Sequence, residues 1–119
     1  MGVILDSSVL IAGERRSDSV ADVLDSVEVA YEKTTSALSA VTTVEMTRGI
    51  YRARTDSDRT RREAFVEELF PVVVVHPLTL EVARLAGCIY GEQMGRGVAI
   101  DVPDLIIGAT ALHLGFEVA

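Results

Sequence analysis

The chain has 119 residues, 49% of them hydrophobic, and a formal net charge of −7. That length holds one domain with a buried core and is too short for two, and the negative charge argues against a protein that binds nucleic acid through its overall charge. No apolar run approaches the roughly 20 residues of a membrane span, and the first residues lack the basic segment of a signal peptide. The single cysteine, Cys88, excludes an internal disulfide and fits a reducing compartment, so we expect a cytoplasmic protein.

The first residues predict a strand, an acidic residue and a helix in immediate succession. Residues 2–5 are apolar without interruption, which is typical of a parallel strand buried on both faces. Asp6 follows directly, and the hydroxyl residues Ser7 and Ser8 can cap a helix that begins near Val9. The carboxyl end of a strand is the edge at which open α/β sheets bind ligands. Asp6 is therefore a candidate site residue, although an aspartate in this position can equally be the N-cap of the helix.

After this first unit the chain alternates between predicted helices and strands. Hydrophobic spacing predicts helices over residues 18–26, 40–54 and 59–70. A buried strand of small residues is predicted over 36–39. Residues 27–31 are ambiguous, and a short extended piece is one interpretation of them.

The four valines at 72–75 form the clearest strand in the sequence. They are β-branched and continuous, so we predict a central position in the sheet. A long helix capped by Thr79 follows, Pro103 marks the first turn of a last helix, and residues 116–119 begin a final strand. Strands that alternate with helices predict an α/β fold: a three-layer sandwich with a central parallel sheet flanked by helices, in a single domain over residues 1–119.

Glu45 is the second candidate acid and lies on the helix that follows the second predicted strand. A glutamate beside apolar positions is costly unless it is paired or binds a cation. The structural alternative is an exposed glutamate that pairs with Arg48 or Arg52.

Asp104 is the third candidate acid and lies near the third position of the last helix, with Asp101 as the natural N-cap. Acids at a helix start suit the helix dipole, so a purely structural role explains both. Asp6, Glu45 and Asp104 nevertheless all follow junctions that meet at the carboxyl edge of the sheet. Three carboxylates in one pocket repel each other, and oxygen ligands of this kind select Mg²⁺ or Mn²⁺. Two such ions about 3.5–4 Å apart can support phosphodiester cleavage.

Basic residues are concentrated in one stretch of this acidic chain. Six arginines and two aspartates between Arg48 and Arg62 give a local charge of +4. A solvated pair of helices is the structural explanation. The alternatives are a phosphate-binding rim beside an acidic pocket, or a surface for an acidic protein partner. The arginines that we consider candidates for substrate binding are Arg48, Arg59, Arg61 and Arg62.

Three segments of the chain together resemble the PIN-domain ribonucleases. They are the opening Leu-Asp-Ser-Ser-Val-Leu-Ile at residues 5–11, the segment Ser-Ala-Val-Thr-Thr-Val-Glu at 39–45 and the stretch 97–111. Within the last, Asp-Leu-Ile-Ile-Gly-Ala-Thr-Ala at 104–111 resembles the VapC toxins of bacterial toxin–antitoxin pairs. The three motifs occur in order and span essentially the whole chain.

This resemblance implies a function and a set of site residues. It implies an endoribonuclease dependent on Mg²⁺ (or Mn²⁺), neutralised by a cognate VapB-type antitoxin and usually a homodimer. It implies Asp6, Glu45 and Asp104 as catalytic and metal-binding residues, with Ser8 positioning water or metal. Asp101 matches no invariant role in the family and is a second-tier candidate.

The sequence departs from the family beyond the last predicted strand. PIN-family members usually continue there into a segment with a fourth polar site residue, so we expect this domain to lack the C-terminal segment of the family. Either the polypeptide is shortened or its site is incomplete. A phosphotransferase of the haloacid-dehalogenase type would use Asp6 as nucleophile, but Ser8 stands where a second aspartate is normally required. A PIN-like interaction module, whose acids are only helix caps, is the other alternative.

Overall fold

The structure, a computed structural model, describes residues 1–32 and 34–119 and alternates strands with helices along the chain. A short 3₁₀ helix, Phe70–Val72, precedes the third strand. The other elements are β1 (Gly2–Ile4), α1 (Ser7–Arg15), α2 (Val20–Ala30), β2 (Thr35–Ser39), α3 (Ala40–Tyr51), α4 (Asp56–Leu69), β3 (Val74–His76), α5 (Leu80–Gly95), α6 (Val102–Leu114) and β4 (Glu117–Val118).

The four strands form one parallel sheet in the order β3-β2-β1-β4. Ile4 pairs with Ala37 between β1 and β2, and Ser39 pairs with His76 between β2 and β3. The predicted α/β fold with a central parallel sheet is therefore confirmed. The run that precedes Asp6 is buried on both faces, as its unbroken apolar pattern indicates.

The valine run at 72–75 does not form a central strand, so that prediction is wrong. Only its second half belongs to β3, which lies at the edge of the sheet, and Val74 is 58% exposed. Pro71 lies at the start of the 3₁₀ helix, and its fixed φ favours this tight turn. The strand therefore begins only at Val74. The ambiguous segment 27–31 is also settled, because α2 continues as a helix through Ala30.

Helices cover both faces of the sheet. Alternate residues of β1 point to opposite sides, as in any strand. Val3 packs in a core with side chains of α1, α2, α3 and α4. Ile4 packs on the other side with Ile107 and Ala111 of α6. None of the helices described over residues 1–32 and 34–119 is long and apolar enough to cross a membrane.

The parallel topology fixes where the helices begin. The strands β1 and β2 end at the same edge, and α1 and α3 start directly after them. Helix α6 leads into β4, which is also parallel to β1, so the start of α6 lies toward that same carboxyl edge. Helix α3 contacts both α1 and α6. The three candidate acids therefore sit on elements that meet at one end of the sheet.

Candidate active site

Asp6 occupies the N-cap position of α1 but does not cap the helix through its side chain. No side-chain capping hydrogen bond is made there within the described residues. Its Oδ2 instead accepts a hydrogen bond of 2.9 Å from the Ser8 hydroxyl. Its backbone N–H donates to the carbonyl of Ala119 over 3.3 Å, which ties it to the end of β4. Asp6 is thus the N-cap residue by position, as the structural alternative predicts, but its carboxylate does not cap the helix. Asp6 is half-buried at the sheet edge.

Glu45 lies in the second turn of α3 and is half-buried. Its Oε1 is buried and has no hydrogen-bond partner among the described residues. None of the ion pairs in that part of the chain involves Glu45, so the predicted alternative of pairing with Arg48 or Arg52 is not observed. A buried acceptor without a donor costs about 1–3 kcal/mol, and more when it is charged. A bound cation would satisfy this oxygen.

Asp101 and Asp104 both belong to the start of α6. Asp101 takes the predicted N-cap position and, within residues 1–32 and 34–119, makes no side-chain capping bond. Asp104 lies in the first turn, where the positive end of the helix dipole favours a carboxylate. Both are exposed and free to meet a ligand from solvent.

The three acids lie toward the same edge of the sheet, but their side chains are not grouped as a preformed metal site. Asp6, Glu45 and Asp104 are brought to the carboxyl edge by the topology of β1, β2 and β4. Across the described part of the chain, no three His, Cys, Asp or Glu side chains are grouped so that they could hold a metal ion. Uncompensated carboxylates repel each other, which opposes such a grouping without a cation. The metal-ligand set therefore stays a prediction.

Glu45 also lines a cavity of about 110 Å³ between α1, α3 and α4. Its lining is partly apolar and partly charged, with carboxylates and guanidinium groups of both signs. The lining residues are Ile11, Glu14, Arg15, Glu45, Met46, Gly49, Arg62 and Val66.

Glu14 is a buried acid that the sequence interpretation missed. It is 5% exposed, and its Oε1 accepts a hydrogen bond of 2.7 Å from Arg61 Nε. Asp58 lies 3.2 Å from the same guanidinium group. The hydrogen bond to Glu14, then its charge, raises the pKa of Arg61 above its usual value, and Asp58 adds to this. Glu14 follows the buried Leu10 by four residues on one helix, and this spacing was the available signal for its burial.

The candidate arginines are mostly engaged with other parts of the protein. Arg61 pairs with Glu14, and Arg62 donates to the carbonyl of Gly49 over 2.7 Å. The Arg59 guanidinium lies 5.3 Å from the ring centroid of Tyr51, and its Nε donates to the carbonyl of Ile50 over 3.5 Å. Arg48 is exposed and has no hydrogen bond or ion pair through its side chain among the described residues.

The family model of the PIN domain matches residues 3–119. The chain belongs to the PIN domain family. The resemblance drawn from the three sequence segments is therefore confirmed. The first two segments span the junctions β1–α1 and β2–α3, and the third runs into α6.

Among known proteins, the chain is similar to proteins named VapC and VapBC. A protein named Ribonuclease VapC from Rickettsia bellii (strain RML369-C) is 26% identical over 118 residues, which cover 99% of this chain and 83% of that protein. VapBC2 from Rickettsia felis, solved bound to a DNA fragment from its promoter, matches with a TM-score of 0.82 at 14% identity, covering 99% of this chain and 85% of that one. VapBC-5 from Mycobacterium tuberculosis matches with a TM-score of 0.77 at 24% identity, covering 99% and 83%. At these identities the two solved structures show that the PIN fold is shared.

Proposed function

We propose that this PIN domain is a metal-dependent endoribonuclease toxin of the VapC type. The observation that carries the proposal is a buried, unpartnered carboxylate oxygen, Oε1 of Glu45, on the helix that follows β2 in a chain matching the PIN domain over residues 3–119. The similarity to Ribonuclease VapC of Rickettsia bellii supports RNA as the substrate.

The residues present fit a divalent cation by their chemistry. Asp6, Glu45 and Asp104 supply only oxygen donors, which Mg²⁺ and Mn²⁺ prefer, and Glu45 Oε1 lacks any other partner in the described chain. We assign these three as the residues that would hold the ion. When bound, such an ion activates water and stabilises the charge that develops on the leaving oxygen.

The chain's own residues orient this set. The Ser8 hydroxyl donates to Asp6 Oδ2 and so limits the rotation of that carboxylate. The hydrogen bond from the Asp6 N–H to Ala119 holds the end of β1 against the end of β4. Asp101, exposed at the N-cap of α6, adds negative charge at the rim and stands outside the ligand set.

The proposed partners are an antitoxin of the VapB type and a second copy of the chain. Solved structures with the same fold come from VapBC complexes of Rickettsia felis and Mycobacterium tuberculosis, which supports an antitoxin partner. The cavity lined by Glu45 lies between α1, α3 and α4, and we place the antitoxin contact beside it.

RNA cleavage with matched aspartate variants tests the proposal. Wild-type protein should cleave single-stranded RNA with Mg²⁺ or Mn²⁺ and stop when EDTA is added. Asp6→Asn and Asp104→Asn should each reduce the rate by at least about 100-fold, since each removes a charged ligand. Asp101→Asn, a change of the same kind one turn from Asp104, should retain most of the activity. Cleavage that survives EDTA, or Asp104→Asn, would contradict the proposal.

A non-catalytic interaction module is the second candidate function. It is favoured by one observation, that the described residues contain no group of three possible metal ligands. This candidate predicts no cleavage under any metal condition and no difference between Asp104→Asn and Asp101→Asn. The haloacid-dehalogenase alternative has no such support, because the match to the PIN domain runs through Asp6 itself.

A further inference from the structure

Tyr51 stands out among the aromatic side chains. The chain has three tyrosines and three phenylalanines, all within the described ranges, and Tyr51 alone is exposed, with 72% of its surface accessible. The Arg59 guanidinium lies over its ring at 5.3 Å from the centroid. Arg59 Nε also donates to the carbonyl of Ile50 over a long 3.5 Å. The ring therefore contacts a cation and is otherwise largely exposed to solvent.

Three exposed arginines lie within three residues of Tyr51 in the sequence. Arg48, Arg52 and Arg54 are exposed, and within the described chain they make no ion pair or side-chain hydrogen bond. Asp58, one of the two nearby acids, is paired with Arg61. We call the set Arg48, Tyr51, Arg52, Arg54 and Arg59 the hairpin tip, since it spans the end of α3 and the start of α4.

The hairpin tip is connected to the proposed site by one row of α3. Glu45, Arg48 and Tyr51 follow each other at intervals of three residues, so they are neighbours along the helix surface. Six residues of helix separate Glu45 from Tyr51 by about 9 Å along the axis and about 120° around it, and Arg48 lies between them.

We propose that the hairpin tip binds single-stranded RNA, with one base stacked on Tyr51 and phosphates on Arg48, Arg52 and Arg54. This proposal deepens the proposed function and rests on it for the identity of the strand. Arg59 contacts one face of the ring and adds positive charge near the same strand.

The chemistry of the hairpin tip favours RNA over an acidic protein. Proteins that bind single strands without sequence preference combine a cationic track with aromatic rings on which bases stack. Both parts are present here, on a chain whose net charge of −7 would otherwise repel RNA. Tyrosine and arginine also occur together at protein interfaces, so the RNA titration below decides between the two occupants.

Binding of a short fluorescent RNA to the full chain tests the proposal. We would use Asp104→Asn as the background, so that cleavage does not interfere, and measure anisotropy over a range of salt concentrations. Tyr51→Ala should weaken binding about 5- to 100-fold with an unchanged salt slope, because stacking is not electrostatic. Tyr51→Phe should bind like the parent. The double variant Arg52→Gln, Arg54→Gln should lower the salt slope by about 0.7 for each phosphate that the protein no longer neutralises.

A second double variant serves as the charge-matched control. Arg84→Gln with Arg96→Gln removes the same charge from α5, on the other side of the sheet, and should leave the salt slope within error. Unchanged affinity of Tyr51→Ala, or equal slopes for the two double variants, would overturn the proposal and leave the arginines to an acidic protein partner. The same measurements distinguish this proposal from the proposed function. If the wild-type protein binds RNA through Tyr51 but never cleaves it, the hairpin tip is confirmed as an RNA-binding site and the nuclease function is rejected.

Discussion

The melting temperature with and without metal shows whether Glu45 is a metal ligand or only a half-buried glutamate. At a Mg²⁺ or Mn²⁺ concentration 100 times the dissociation constant, binding to the folded state alone stabilises it by about 2.7 kcal/mol. For 119 residues, an unfolding entropy of about 2.1 cal/mol/K per residue gives about 250 cal/mol/K. The expected rise in the melting temperature of the wild type is therefore about 11 °C.

Glu45→Gln should lose most of that rise. Without metal, its melting temperature should equal or exceed that of the wild type, because the substitution removes a charge from a buried oxygen with no donor in the described chain. Glu28→Gln, an equivalent change at an exposed position of α2, is the control and should keep the full rise. Differential scanning calorimetry with and without metal measures both. Equal metal-induced shifts in the wild type and Glu45→Gln would show that Glu45 is not a metal ligand.

Three further predictions concern the scaffold of the site, and thermal unfolding checks each. Gly13→Ala should destabilise the fold by about 1–3 kcal/mol, because a Cβ there would lie 2.3 Å from Val23 Cγ2; an unchanged stability would mean that α1 and α2 can separate. Thr42→Val should be neutral or stabilising, since the buried Oγ1 has no partner in the described chain; a large loss would reveal a hidden partner. Arg61→Met should lower the melting temperature at neutral pH by leaving Glu14 buried without its donor; an unchanged melting temperature would mean that another group replaces the donor. In the wild type, the raised pKa of Arg61 stabilises the fold fully below the unfolded value, so this contribution should not vary between about pH 6 and pH 9.

The parts of the fold that were predictable are those in which local pattern and topology agree. An unbroken apolar run followed at once by an acid identifies β1 and the place of Asp6. A strand that is buried on both faces needs apolar side chains at every position, and residues 3–5 provide them. The valine run at 72–75 carries the same local signal but lies at the sheet edge. Strand order depends on how the crossover helices pack, and local hydrophobicity does not contain that information.

The candidate site shows the same division. Positions of Asp6, Glu45 and Asp104 follow from strand-to-helix junctions, which sequence periodicity locates. The partners of the arginines do not, because Arg61 and Glu14 are 47 residues apart in sequence and meet only through the packing of α1 against α4. Charge counting treats all six arginines alike, whereas the structure divides them into arginines that tie helices together and an exposed hairpin tip.

We propose that Asp6, Glu45 and Asp104 hold a divalent cation at the carboxyl edge of the sheet. A crystal structure with Mn²⁺, located by its anomalous scattering, tests this proposal most directly. We expect a peak within about 2.0–2.4 Å of carboxylate oxygens from at least two of the three residues, with water completing the coordination. The peak should disappear in Asp6→Asn crystals and remain in Asp101→Asn crystals. Full Mn²⁺ occupancy elsewhere, with no peak at this edge, would rule out the proposed metal site.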